Sequence, residues 1–340
     1  MAYTTINKHT DYFNTKIYTG NGSAGHSITG VGFQPDLVWA KHRNGASGHH
    51  WYDAIRGATK RIRSDNLDAE GNSTTGLTAF GTDGFTVGTD SGLNSNSNTF
   101  ASWNWKANGA GSSNSDGSIT STVSANTTAG FSIVKWVGTG SNATIGHGLG
   151  AKPAMIITKS TSHSGSWYTY NKSPDATDFL KLNSTDGTSD NATVWNDTEP
   201  TTSVFTTGTA FDSGRTFIAY CFTEKVGYSK FGKYTGNGNA DGAFVYTGFK
   251  PSFVMIKEIS SSGYQWTIVD NKRNPTNDGS MKWLFADNSG VETTESTWDL
   301  LSNGFKQRAN HSYVNHSGTH IYMAFGQSLV GSNNVPCTAR

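Results

Sequence analysis

The chain has 340 residues, enough for two or three domains at roughly 100–200 residues each. Charged residues make up only 15%, while glycine reaches 40 residues without a three-residue period and aromatics reach 12%, which excludes collagen and a disordered chain. Lys and Arg total 26 against 25 Asp and Glu, and a formal net charge of +1 gives no electrostatic basis for binding nucleic acid or an anionic membrane.

A threefold repeat organises the chain. Tyr18, Trp136 and Tyr234 each stand 17 residues before a proline (Pro35, Pro153, Pro251) and carry glycines at +2 and +4. Each proline is followed by an apolar run ending in lysine: Leu37-Val38-Trp39-Ala40-Lys41, Met155-Ile156-Ile157-Thr158-Lys159 and Phe253-Val254-Met255-Ile256-Lys257. Consecutive apolar positions predict a central strand covered on both faces. Each unit closes on an alternating segment, Ala101/Trp103/Trp105, Ile218/Tyr220/Phe222 and Ile321/Met323/Phe325, which predicts a strand with one wet face. Turn signals such as Asp83-Gly84, Asp278-Gly279 and Asn303-Gly304 punctuate short β-prone stretches between them.

No sustained 3.6-residue period occurs. The expected fold is therefore all-β with almost no helix: three tandem antiparallel β-sandwich, jelly-roll-like repeats. The expected boundaries are 1–107 for the first repeat, 108–130 for a Gly/Ser/Thr-rich bridge, 131–224 for the second repeat, 225–327 for the third and 328–340 for a C-terminal arm. Within the bridge, Ile119 and Val123 have the character of a short strand added to the second unit. Residues 2–14 and 328–340 lie outside the repeat cores and are expected to serve assembly.

The glycine-rich motifs lack the structural context that nucleotide binding needs. Gly20-Asn21-Gly22-Ser23-Ala24-Gly25 fits a dinucleotide fingerprint, but a β-like stretch follows where a helix is needed, so it reads as a hairpin loop. Gly227-Tyr228-Ser229-Lys230-Phe231-Gly232-Lys233 mimics a phosphate loop, yet Tyr234 stands where Ser or Thr must meet magnesium. Cys221 and Cys337 are too few for a disulfide framework or a multi-cysteine metal site, and no run is long enough to span a membrane. His49-His50 and His311, His316 and His320 read as polar loop histidines rather than ligands. Asp53, Asp83, Asp90, Glu258 and Asp270 are scattered, without the facing pair that glycoside hydrolysis requires. Neither catalysis, a cofactor nor a metal is expected.

One element admits two readings. Trp51, Tyr52, Asp53 and Arg56, with His49 before them, are echoed by Trp266, Asp270 and Arg273, whereas the second unit keeps Trp167 but carries Asn171 and Lys172. An aromatic, a carboxylate and an arginine can tether a strand to its neighbour, or form a platform for a sugar ring.

Further segments carry a family resemblance. Tyr12-Phe13-Asn14-Thr15, Gly30-Val31-Gly32-Phe33-Gln34-Pro35-Asp36, Asp53-Ala54-Ile55-Arg56-Gly57, Ile145-Gly146-His147-Gly148-Leu149-Gly150 and the terminal Asn333-Asn334-Val335-Pro336-Cys337-Thr338-Ala339-Arg340 resemble a family of phage virion proteins. That family is common in marine phages, including those of cyanobacteria, and is largely described as a domain of unknown function. Asn104, between Trp103 and Trp105, departs from the small or apolar residue expected there. The resemblance implies a structural protein of the virion, assembled in the bacterial cytoplasm and usually a tail fibre, tip or adaptor, forming a homotrimer and contacting other virion proteins. Alternatives are a glycan-binding adhesin for host surface polysaccharide and a capsid-decorating protein.

Overall fold

The computed structural model describes residues 4–295, 297–328 and 330. These are all-β apart from a 3-10 turn at His9–Asp11 and three one-turn helices, Ser91–Asn94, Ala192–Trp195 and Ser312–Asn315. Each one-turn helix is started by a side chain, Asp90, Asn191 or His311, that accepts from a backbone N–H two residues on.

One strand order occurs three times. In the first unit the opening strand Phe13–Thr19 pairs with the closing strand Thr99–Trp105, which pairs with the post-proline strand Leu37–His42. A meander of His50–Asp53, Lys60–Arg63 and Gly71–Asn72 completes that sheet. The second unit repeats the order with Phe131–Val137, Thr216–Phe222, Met155–Ser160, Tyr168–Asn171, Asp178–Lys181 and Ser189–Asp190. The third does so with Ser229–Thr235, Thr319–Ser328, Phe249–Glu258, Thr267–Asp270, Met281–Phe285 and Thr293–Glu295. A smaller sheet faces each large one, built on the pairs His26–Thr29 with Gly84–Val87, Ala143–Gly146 with Val204–Thr207, and Phe244–Tyr246 with Gly304–Gln307. First-with-last and second-with-penultimate pairing is what a jelly roll uses; here the meander stays within one sheet instead of crossing to the other.

The large sheets have two dry faces. One faces the small sheet over a core private to the unit, such as Val38, Tyr52, Leu77 and Phe85 in the first. The other faces its counterparts from the remaining units over one shared core. At its centre the equivalent rings Trp105, Phe222 and Phe325 touch pairwise, at 6.1, 5.8 and 6.0 Å between centroids. The chain is thus a pseudo-threefold ring of three sandwiches. The closing strands therefore lack the wet face that their alternation predicts: Ser102, Asn104 and Cys221 are fully buried. The Asn104 amide nitrogen donates to the Asn14 carbonyl at 3.0 Å and to the Ser102 carbonyl at 3.2 Å, while its Oδ1 has no partner among the described residues.

Two expected connecting segments are built into this body. Within 108–130, strands Ser112–Asn114 and Ser121–Asn126 extend the second large sheet, and Ile119 bridges to Ile145. From Thr4 onward the N-terminal segment lies on its own chain: Ile6 joins the shared core, and Gln327 of the third unit binds His9 Nδ1 at 2.9 Å and the Asn7 carbonyl at 2.9 Å. The packing has a simple cause, since the apolar Ile6 and Tyr12 gain more from the core than from solvent. Of the arm 328–340, only Ser328 and Val330 fall within the described residues.

Candidate functional site at the seams between units

Each seam is stitched by the same backbone bonds. The amides of Ser47, Gly165 and Gly263 donate to the carbonyls of Ser289, Leu67 and Thr185 at 2.9, 2.8 and 2.9 Å. Those of Glu70, Thr188 and Glu292 donate to Thr161, Ile259 and Arg43 at 2.9, 3.0 and 2.7 Å. Every bond joins different units, and each set runs once around the ring.

The repeated lysines serve these seams. Lys41, Lys159 and Lys257 are buried, and each ammonium donates to a neighbouring unit's loop: to Ser289 at 3.3 Å, Leu67 at 3.0 Å and Thr185 at 3.0 Å. Burial lowers each ammonium to about 8.

The residues singled out from sequence meet at the same seams. Asp53 Oδ2 receives Arg56 Nε at 2.5 Å and, across the first seam, the Tyr220 hydroxyl at 2.7 Å. Arg56 also donates to the Lys60 and Trp51 carbonyls and to Glu70. Burial opposes its charge, but Asp53, Tyr220 and Glu70 together hold the guanidinium above its ordinary range. The third unit repeats this against the first: Asp270 Oδ2 receives Arg273 Nε at 2.6 Å and Trp103 Nε1 at 3.0 Å. Glu292 bridges Arg273 at 3.1 Å and, bidentately, Arg43 of the first unit at 2.8 and 2.9 Å.

The remaining seam explains why the second unit lacks the pair. Trp103, Tyr220 and Met323 are equivalent, opposite Trp39, Ile157 and Met255 respectively. Where the closing strand offers an indole N–H or a phenol, the neighbour supplies Asp and Arg; where it offers Met323, the neighbour supplies Asn171. The surroundings there are Met155, Met255, Trp266 and Ile321, which give a second charge nothing to bind. Lys172 is not the counterpart of the arginines. It lies two positions earlier, half-exposed, and pairs with Glu224 at 2.7 Å.

Register also corrects the match between Trp51 and Trp266. Trp51 opposes Trp39 as Ile268 opposes Met255. The equivalent of Trp266 and Trp167 is His49, since the backbone N–H of each bonds a side chain at one shared position, Asp287, Asn183 or Asp65. Trp167 and Trp266 donate their indole N–H to the backbone carbonyls of Arg63 and Lys181 in the preceding units at 2.9 and 3.0 Å. His49 Nδ1 accepts from Trp39 at 2.8 Å, and the Phe285 carbonyl faces its ring from the third unit.

Tyr52 points the other way, into the private core of the first unit. His49, Trp51, Tyr52, Asp53, Trp266 and Asp270 are at most 1% exposed, Arg273 is 5% exposed, and the Arg56 side chain is 2% exposed. A glycan in solution touches none of them, which answers the platform reading. Of the histidines expected in polar loops, His49, His50 and His320 are buried, whereas His311 and His316 are half-buried and flank the Ser312–Asn315 turn; His42 and His147 are buried as well. Burial pushes His49, His147 and His320 down, the last to about 4. Among the described residues, no group of three or more His, Cys, Asp or Glu is placed to hold a metal ion.

Counting reveals the lysines as a repeated position, but not that they reach across seams. Nothing in the sequence marks Tyr220 or Trp103 as partners 167 residues from Asp53 and Asp270. Substituting Tyr220→Phe strips a buried carboxylate of one donor, and is expected to lower the unfolding free energy by about 1.5–3 kcal/mol. Urea titration checks this; an unchanged midpoint would contradict the seam assignment.

Fold and seams together define an all-β chain of three mutually buried sandwiches. A family model described as a domain of unknown function (DUF7483) matches residues 8–328, so the chain belongs to that family. No curated protein matches it in sequence.

Proposed function

We propose that this chain is a non-catalytic structural protein of a bacteriophage particle, a tail appendage (fibre, tip or adaptor) that serves assembly and host attachment. The observation that carries the reading is the destination of its chemistry-bearing residues. Asp53, Arg56, Asp270, Arg273, Glu292 and the three repeated lysines bind across or beside seams, joining three sandwiches into one body. Such saturation suits a load-carrying building block. The resemblance of its motifs to phage virion proteins supports the particle as its location.

A second reading, a capsid-decorating protein, is favoured by the pseudo-threefold core, because one such chain offers a threefold shell position three similar faces. The ring of three closes within a single chain, so a homotrimer would form through surfaces outside these seams. Host glycan would likewise meet outer faces rather than the eight buried candidate residues.

Cryo-electron microscopy of intact particles tests the proposal. Density for this chain on the tail is the expected result, and density on the shell would move the assignment to decoration. Absence of the chain from purified particles would overturn both.

A further inference from the structure

The three opening strands are equivalent, but their outer edges are not treated alike. In the second unit Ser121–Asn126 covers Phe131–Val137, with Asn126 opposite Phe131, Ser124 opposite Ile133 and Thr122 opposite Lys135. In the third unit the edge of Ser229–Thr235 is occupied at its start: Lys225 N donates to the Ser229 carbonyl at 3.3 Å and Glu224 accepts from Phe231 N at 3.0 Å. In the first unit, among the described residues, no strand pairs with the outer edge of Phe13–Thr19.

The polarity of that edge follows from its inner bonds. Lys106 N donates to the Tyr12 carbonyl and Gly20 N to the Asn98 carbonyl, so the even-numbered residues of this strand turn their backbone groups toward the closing strand. Phe13, Thr15, Ile17 and Thr19 therefore turn theirs outward. At the middle of this row Ile17 is 40% exposed. Beside it Thr15 is 4% exposed, and its Oγ1 has no hydrogen-bond partner among the described residues. A buried hydroxyl left alone is costly, and a strand laid on this edge would relieve it. By the second unit's register, the incoming residue opposite Thr15 corresponds to Ser124, a hydroxyl within cross-strand reach.

We propose that this edge is a strand-addition site for a partner protein, which lays an extended, hydroxyl-rich segment antiparallel on Phe13–Thr19. The chemistry of the segment is set position by position. Opposite Lys16, the equivalent of Val134, the second unit's covering strand carries Val123; Lys16 is half-buried with its ammonium near Gly30 and the Asp83 carboxylate, and a positive charge there favours a carboxylate or hydroxyl acceptor over valine. A second copy of this chain fits less well. Self-pairing about Ile17 sets Tyr18 against Lys16, and the Tyr18 hydroxyl is already donated to the Leu93 carbonyl at 2.9 Å.

The test uses the full chain and a synthetic peptide of residues 118–126, in its own sequence and with Val123→Asp. Backbone amide exchange is read by NMR at up to millimolar peptide. The expected result is at least tenfold slower exchange at the Thr15, Ile17 and Thr19 amides, with the Asp peptide binding several-fold more tightly. Ile17→Pro should abolish the effect with an unchanged far-ultraviolet circular dichroism spectrum, since proline removes an outward N–H. Lys16→Glu, which keeps the strand intact, should reverse the preference between the two peptides. Exchange at these amides unaffected by either peptide would overturn the proposal. Protection that rises with protein concentration alone, alongside a dimeric mass, would overturn it in favour of a second copy.

Discussion

Replacing Arg273 with methionine is expected to lower the unfolding free energy by about 3–5 kcal/mol, because it leaves the Asp270 carboxylate buried without its counter-ion. Asp270 is fully buried, and its remaining donors are Trp103 Nε1 and the backbone N–H groups of Lys272 and Arg273. Glu292 keeps its bidentate pairing with Arg43, so Asp270 is the one carboxylate left without a counter-ion, while the Lys282 and Ile268 carbonyls each lose one donor. The double substitution Asp270→Asn with Arg273→Met removes the orphaned charge while the amide oxygen still accepts from the backbone N–H groups of Lys272 and Arg273. It is expected to recover about 2 kcal/mol of the loss. Urea unfolding of the two variants measures both values, and a double variant no better than the single one would contradict the assignment. The second unit is a natural precedent, since it pairs Asn171 with Met323 and holds its seam without an Asp–Arg pair.

Acidification is expected to destabilise the protein well before its surface carboxylates titrate. Burial lowers the folded-state pKa of His9, His42, His49, His50, His147, His311 and His320 below 6.5. A group depressed in this way binds its proton first in the unfolded chain, so stability falls as pH drops below 6.5 toward the folded value. For His320, held at about 4, the full effect is on the order of 3 kcal/mol. Asp36, Asp178 and Asp287 are raised by burial and work in the opposite direction, Asp287 between about 6 and 3.8, but the lowered histidines outnumber them.

The lysines carry the opposite window. With Lys41, Lys159 and Lys257 at about 8 when folded and 10.5 when not, their contribution rises with pH across that interval. Thermal unfolding from pH 4 to 9.5 should show a steep decline of Tm below 6.5 and no loss between 8 and 9.5. A flat acid limb, or a fall on the alkaline side, would contradict these assignments.

The repeat was legible because three prolines, three apolar runs and three closing segments keep nearly constant spacing, and spacing survives where identity does not. The post-proline strands could be read as doubly covered for the same reason. The closing strands could not. Their alternation of Ser102 and Asn104 with tryptophans looks like a strand facing water, and the second dry face exists only because two other units cover it. Asp53 and Arg56 were visible as a pair three residues apart, but Tyr220 was not, since nothing local couples it to a carboxylate in another unit. Pattern reports which way a side chain points from its own strand, while the seam depends on what arrives from elsewhere. The same gap misaligned Trp51 with Trp266: residue identity suggested the match, and strand register places His49 there instead.

The central claim is that three sandwiches share one core and unfold as one body, and differential scanning calorimetry of the full chain tests it most directly. One transition with a calorimetric enthalpy equal to the van't Hoff enthalpy is the expected result, because no unit can leave without exposing Trp105, Phe222 and Phe325. Three separable transitions, or a calorimetric enthalpy about three times the van't Hoff value, would mean that the units unfold independently and that the seams do not hold them as one.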